Sequence, residues 1–208
     1  GSQITSLALP DGFESMDDTA FWYMPKLERV DLGGTKALTD SAFRYDKALA
    51  EVNFRPDLNR LTDVGDYAFD GSALVSVSLP DSVTSIGKGA FAENTALRSV
   101  HLGSGLTSIG ESAFVDASNL ASLSVAPANS AFSVEDGVLY SKGDAGRTLV
   151  LYLPTNGASE FTVPDGTVAI ADTAFAHNTS LRRVVLPEGL TTIGYGAFDG
   201  DANLADLV

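Results

Sequence analysis

The chain has 208 residues, 44% apolar and 19% charged, with a formal net charge of −14 and no cysteine. That apolar share supports a buried core and excludes a disordered tail. The 13 Lys and Arg do not cluster, which argues against a nucleic-acid backbone or an anionic membrane surface as ligand. The lack of cysteine removes disulfides, zinc–thiolate sites and thiol catalysis, and no apolar run is long enough for a membrane helix.

Gly1-Ser2 reads as an expression-tag scar, and a native leader is expected to have been removed ahead of it. Leu7-x-Leu9 and Pro10-Asp11 follow, and then the first Ala-Phe pair, Ala20-Phe21. Six more such pairs follow at Ala42-Phe43, Ala68-Phe69, Ala90-Phe91, Ala113-Phe114, Ala174-Phe175 and Ala197-Phe198, at intervals of 22, 26, 22, 23, 61 and 23 residues. A fixed period in the low twenties marks a solenoid of stacked coils. Between pairs stands a strand phrase: Leu27-x-x-Val30-x-Leu32, Leu49-x-x-Val52-x-Phe54, Leu74-x-x-Val77-x-Leu79 and Leu97-x-x-Val100-x-Leu102. Leu120-x-x-Leu123-x-Val125, Leu181-x-x-Val184-x-Leu186 and the partial Leu204-x-x-Leu207 continue it. Its last two apolar positions alternate with period two, the pattern of a strand with one buried face.

Pro80, Pro164 and Pro187 end strands, because proline cannot donate to a ladder. An apolar-x-x-apolar step comes next, as in Val83–Ile86, Leu106–Ile109 and Leu190–Ile193, and a glycine closes it at Gly65, Gly87, Gly110 and Gly194. Those glycines are expected to supply positive φ or a close backbone approach. The Ala-Phe pair is predicted to lie on a short helical turn, with each Phe reaching inward onto the Phe of the neighbouring coil. Each such ring contributes about 1.5–3 kcal/mol from lost exposure.

The 61-residue interval breaks the rhythm. It holds Phe132–Tyr140, a turn-forming stretch at 141–147 and Thr148–Pro154, two apolar and β-branched runs around a Gly/Asp/Lys turn. They read as an inserted hairpin, at about 126–156. Leu149, Leu151 and Leu153 fall at inward positions, which would let the second run join the main sheet. Residues 3–208 are then one solenoid of about eight to nine coils, expected to be a piece of a longer protein.

These motifs resemble the BspA-like class of bacterial leucine-rich repeats, whose pattern L-x-x-V-x-L-P-x-x-V-x-x-I-G-x-x-A-F is followed closely at 74–91 and 181–198. The segment Phe132–Ser141 is similar to hairpin insertions of that class. Residues 31–69 depart from the pattern, with one link a residue short and another three residues long. The resemblance implies an α/β solenoid, a β-rich right-handed superhelix with short parallel strands on the concave face and short helical turns on the convex face. It also implies display at the cell surface or secretion, and binding to other macromolecules. It implies no particular ligand, because the shared residues are structural.

Few residues remain for chemistry. His101 and His177 lie about three coils apart, or four if the insertion contributes one, and at ~4.8 Å per strand step they cannot share a proton or a metal. Asp199-x-Asp201-x-Asn203 imitates the start of a calcium loop, but Leu204 stands where that loop needs glycine. Glu135 and Asp136 are neighbours whose side chains point to opposite faces of a strand. No G-x-S-x-G elbow and no phosphate-cradling glycine motif occurs. The chain therefore reads as non-catalytic, with no cofactor and no metal.

A ligand is expected on the outward positions of the strands: Arg29 and Asp31, Glu51 and Asn53, Ser76 and Ser78, Ser99 and His101, Ser122 and Ser124, Val150 and Tyr152, Arg183 and Val185. They run from charged, through a serine ladder, to apolar and aromatic. Tyr152 is a candidate anchor, with large area and a polar tip; the alternative is that it packs on the preceding hairpin. The leading expectation is a bacterial recognition module of unknown oligomeric state, binding a protein or glycan in adhesion or host interaction. A structural spacer and an accessory domain of a larger surface protein or enzyme are the alternatives.

Overall fold

The structure, a computed structural model, describes residues 2–208. Its strands are short and run in chain order as β1 (Ser6–Ala8), β2 (Arg29–Asp31), β3 (Ala37–Leu38), β4 (Glu51–Asn53), β5 (Asp63–Val64) and β6 (Ser76–Ser78). There follow β7 (Ser85–Ile86), β8 (Ser99–Leu102), β9 (Ser108–Ile109), β10 (Ser122–Val125), β11 (Phe132–Glu135) and β12 (Val138–Ser141). The last are β13 (Arg147–Tyr152), β14 (Glu160–Thr162), β15 (Thr167–Ile170), β16 (Arg183–Val185), β17 (Thr192–Ile193) and β18 (Asp206–Leu207).

The strand phrase builds one row of parallel strands. Its sheets are β1-β2-β4, β6-β8-β10 and β14-β16-β18. The central apolar residues align in register, Leu7 with Val30 and Val52, and Val77 with Val100 and Leu123. The apolar-x-x-apolar step builds a second parallel row, β3-β5-β7-β9, which resumes as β13-β15-β17. Both rows bury the residues their period places inward, because a parallel stack leaves each side chain between copies of itself; the exceptions are Ile193 and Leu207 in the last coil, which are exposed.

The third side of each coil is not helical. No helix occurs among the described residues, so the expected helical turns are corrected to an irregular turn with a fixed conformation. The residues two before and two after the Phe have left-handed backbone: Ser41 (φ 57) and Tyr45 (φ 60) around Phe43, Gly89 (φ 57) and Glu93 (φ 54) around Phe91, Thr173 (φ 55) and His177 (φ 61) around Phe175. Non-glycine residues rarely adopt this region. Here it turns three N–H groups toward the next coil. Gly89, Phe91 and Glu93 donate to the carbonyls of Glu111, Ala113 and Val115 at 3.0, 2.9 and 2.9 Å. A helix would aim those donors back along its own chain; stacking requires them to leave the coil, and the left-handed pair supplies that.

Of the two roles open to the template glycines, the structure selects close approach. Gly65, Gly87, Gly110 and Gly194 are not among the positive-φ residues. A Cβ on Gly65 would stand 2.7 Å from the Leu38 carbonyl oxygen, and one on Gly110 would overlap the backbone of Lys88.

The phenylalanines form the expected interior spine. Phe21, Phe43, Phe69, Phe91 and Phe114 stack at centroid separations of 5.3, 5.5, 5.6 and 5.5 Å, with planes within 9° of parallel. Phe43, Phe69 and Phe91 are fully buried.

The interval after Phe114 differs from the sequence reading in three ways. First, the run 132–140 is itself a hairpin. β11 and β12 pair antiparallel, from Phe132↔Ser141 to Glu135↔Val138, about Asp136 (φ 49) and Gly137 (φ 76). Two consecutive positive φ angles at Asp-Gly are what a two-residue hairpin turn demands. Second, β13 pairs antiparallel with β12 and parallel with β15, so it belongs to the second row and not to the main sheet. Third, Tyr152 is a spine residue. Its amide donates to the Ala174 carbonyl at 2.8 Å, as Phe91 does to Ala113, and its ring stacks on Phe175 at 5.1 Å. Leu151-Tyr152 thus occupies the Ala-Phe place, and Tyr152 to Phe175 restores the 23-residue period.

The core is correspondingly in two clusters. One runs from Leu27 to Phe132 and takes in Leu139, Leu151 and Leu153 of the insertion. The other gathers Tyr140, Leu149, Tyr152, Phe175 and their neighbours. Asn129 pins the insertion to the first block. Its amide donates to the carbonyls of Gly103 and Leu106, both at 2.9 Å, and its oxygen accepts from Ala131 and Phe132.

Candidate functional site

The strand face carries most of the outward residues in aligned rows. Arg29 lies beside Glu51, and Asp31 beside Asn53. Ser76, Ser99 and Ser122 form one line, and Ser78, His101 and Ser124 another. Arg183 stands level with Glu160 and Asp206, and half-buried Val185 level with Thr162.

The charged end of the face neutralises itself. Arg29 approaches Glu51 at 3.3 Å with both side chains about 70% exposed (72% and 70%). Asp31 accepts from Asn53 at 2.9 Å and faces Arg55 at 3.3 Å. Although burial opposes it, the Gly33 amide, Asn53 and Arg55 together hold the Asp31 carboxyl below the ordinary carboxylate range. Arg55 also pairs with Asp11 at 2.7 Å and Asp57 at 2.9 Å. The middle of the face is small and polar, with His101 Nδ1 2.9 Å from the Ser124 hydroxyl.

Tyr152 is not part of this face. It is 2% exposed, wedged against Phe161 and Phe175 at 4.9 and 5.1 Å. Its hydroxyl is buried without a partner, and burial raises its pKa. The expected anchor is therefore corrected to a core residue. Val150 and Tyr152 fit the outward alternation of a first-row strand, whereas β13 lies in the second row.

The side chains of possible chemistry stay dispersed. His177 reaches Asp116 at 3.5 Å, far from His101 in the chain. Asp201 accepts the Asn178 amide at 2.8 Å, and burial pushes its carboxyl up to about 6; it is an internal loop cap. Glu135 pairs with Arg147 at 2.8 Å, whose guanidinium lies 4.5 Å over the Tyr140 ring. Among the described residues no three acidic, histidine or cysteine side chains are grouped for a metal.

A cleft that the sequence reading did not place opens where the two core blocks meet. It has a volume of about 470 Å³, with residues 107–115 as one wall and parts of β13 and residues 169–173 as the other. A separate space of about 140 Å³, lined by Asp116, Tyr152 and His177, adjoins it at Phe114 and Thr173. The one sequence signal for it is the 61-residue interval, which shows that the stack is interrupted but not that a gap remains.

The chain matches the family model for the BspA type leucine rich repeat region over residues 1–63, 62–141 and 154–208. It belongs to that family. A leucine-rich cell surface protein from Faecalibacterium prausnitzii has a similar structure, with TM-score 0.77 and 27% identity over 98% of this chain and 60% of that one. A leucine-rich repeat protein from Eubacterium ventriosum gives TM-score 0.86 and 24% identity, over 98% of this chain and 56% of that one. The pneumococcal vaccine antigen PcpA gives TM-score 0.75 and 22% identity, over 98% and 60%; the last two likenesses concern the fold alone. The chain thus spans three fifths or less of the length of these structures. No curated protein matches it.

Proposed function

We propose that the chain is a non-catalytic recognition module of a bacterial surface protein, binding a protein or glycan through the strand face. The observation that carries this reading is the strand face itself: Ser76, Ser99 and Ser122, and Ser78, His101 and Ser124, repeat in register from coil to coil, exposed except for half-buried Ser99 and His101. Family membership and the cell-surface relative support the location. Arg183, Ser99, Ser122 and His101 are the residues expected to touch the ligand. Tyr152 is excluded from that set by its burial.

The test is a glycan and host-protein array probed with the intact chain, repeated with Ser99→Arg and Ser122→Arg, which crowd the face without reaching the core. Loss of a specific signal in both variants supports the reading, and an unchanged signal removes it. A spacer role is the second reading, favoured by the internal neutralisation of Arg29, Asp31 and Glu51. It requires that the same variants leave every function of the parent protein intact while deletion of coils does not.

A further inference from the structure

At the joint between the core blocks the inter-coil ladders stop, and main-chain groups are left over. In the preceding coil the carbonyls of Thr84 and Ile86 receive the amides of Thr107 and Gly110 at 2.9 and 2.7 Å. The corresponding carbonyls of Thr107 and Ile109 receive nothing, because β9 pairs only with β7. On the turn side, Gly89, Phe91 and Glu93 donate to the next coil, whereas the amides of Ser112, Phe114 and Asp116 donate to no acceptor among the described residues. Two carbonyls and three amides thus stand in coil register along one edge. An unpaired strand edge of this kind is a template for another strand.

The edge opens on the 470 Å³ cleft, within the range of ligand pockets, about 300–1,000 Å³. Ile109, Phe132 and Val150 supply apolar surface in its lining, while Ser112 and Thr148 are too small to cover the backbone. Glu111 and Asp172 line it, and no Lys, Arg or His does. Both walls belong to this chain, so the space admits one extended segment and not the edge of a second folded sheet; at its Ser112 end the walls meet through the Thr173 and Ser112 hydroxyls at 3.2 Å, a bond that an inserted segment must displace.

We propose that this cleft binds a short extended peptide as an added strand, with a cationic side chain set against Glu111. The chain supplies the pattern. In the coil before the gap, Thr84-Ser85-Ile86-Gly87-Lys88-Gly89-Ala90 lies alongside 107–113, and Lys88 Nζ meets Glu111 at 3.1 Å. A segment of the same pattern on the open side would present two amides to Thr107 and Ile109. Its later carbonyls would meet the amides of Ser112 and Phe114. This is main-chain recognition with side-chain selection, the mode of strand addition.

The probe is the synthetic peptide acetyl-Thr-Ser-Ile-Gly-Lys-Gly-Ala-amide, titrated at millimolar concentration into the intact chain and followed by amide NMR. Saturable shifts at Ser112 and Phe114 are expected. N-methylation at the first glycine of the peptide removes one main-chain donor, and with the steric block weakens binding about tenfold or more. Glu111→Lys in the protein, at an exposed position, weakens it about tenfold as well. No saturable shift, or equal binding of the N-methylated peptide, overturns the proposal. So does sedimentation showing that copies of the chain associate through this edge in the absence of peptide. Ser99→Arg and Ser122→Arg leave peptide binding unchanged, so this site and the strand face are tested separately.

Discussion

Replacing Asp46 by Asn should stabilise the protein at neutral pH and flatten its pH dependence. Asp46 is fully buried three residues after a spine phenylalanine. One of its oxygens accepts the Met24 amide at 2.5 Å and the other has no partner. Burial, only partly offset by that amide, pushes the carboxyl up to about 7. At the equivalent position Asn94 donates to the carbonyls of Phe69 and Ala92 at 2.7 and 3.1 Å. The Phe21 carbonyl, counterpart of Phe69, receives no donor. A protonated Asp46 can supply that donor; an ionised one cannot.

The sign follows from the raised pKa. Between about pH 4 and 7 the folded chain keeps a proton that the unfolded chain has released, so stability falls as pH rises through this window and is level above it. A shift from 3.8 to about 7 corresponds to an upper bound of about 4 kcal/mol, at roughly 1.4 kcal/mol per unit. Urea denaturation of the natural chain and of Asp46→Asn at pH 5 and pH 8 isolates this group from the other carboxylates. The variant should gain on the natural chain mainly at pH 8. Parallel pH profiles for the two proteins, or a variant weaker at pH 8, would refute the argument.

Phe91→Ala, in the middle of the stack, should cost on the order of 3–5 kcal/mol by chemical denaturation; a loss below about 1 kcal/mol would remove the spine as the main support. Tyr152→Ala should cost as much, because the ring is a rung. Tyr152→Phe should be neutral or stabilising by about 1 kcal/mol, since it deletes a buried hydroxyl with no partner; a large loss in Tyr152→Phe would place a partner on that hydroxyl. Asn129→Ala should destabilise by roughly 2–4 kcal/mol, as four hydrogen bonds lose their common anchor, and hydrogen exchange should then rise first in β11 and β12. Gly110→Ala should cost about 1–3 kcal/mol through contact with the Lys88 backbone, with no compensating gain from a φ effect.

Period and pattern carried most of the fold because each coil repeats one solution to one packing problem. The Leu-x-x-Val-x-Leu phrase, the apolar step and the Ala-Phe pair map onto the two strand rows and the spine. Sequence reading failed where one residue type can meet two demands. The spacing of the Ala-Phe turn is compatible with a helical turn, yet Ser41, Tyr45, Thr173 and His177 take left-handed backbone, because inter-coil hydrogen bonds outweigh local preference. Tyr152 has the amphipathic character of an anchor, yet its place in the 23-residue period makes it a rung. Asp136-Gly137 between alternating apolar residues was a legible hairpin signal, masked by the richer turn composition at 141–147. The alternation that aligns Arg29 with Glu51 and Ser76 with Ser99 and Ser122 was legible in the strand phrase; Val150 and Tyr152, fitted to the same alternation, were not first-row residues. The cleft was not, because a sequence records which strands exist and not which edges go unpaired.

The division of the apolar interior into two clusters governs how the molecule comes apart. In a linear array each unit draws stability from its neighbours, and cooperativity fails first where that coupling is thinnest. Here the aromatic column is discontinuous between Phe114 and Tyr152, and the seam is bridged by contacts such as Thr155 to the Leu120 carbonyl at 2.8 Å, Thr173 to Ser112 at 3.2 Å and His177 to Asp116 at 3.5 Å. Heating should therefore release the shorter C-terminal block while the longer one persists, so calorimetry will record two transitions where a continuous array of this length would melt as one.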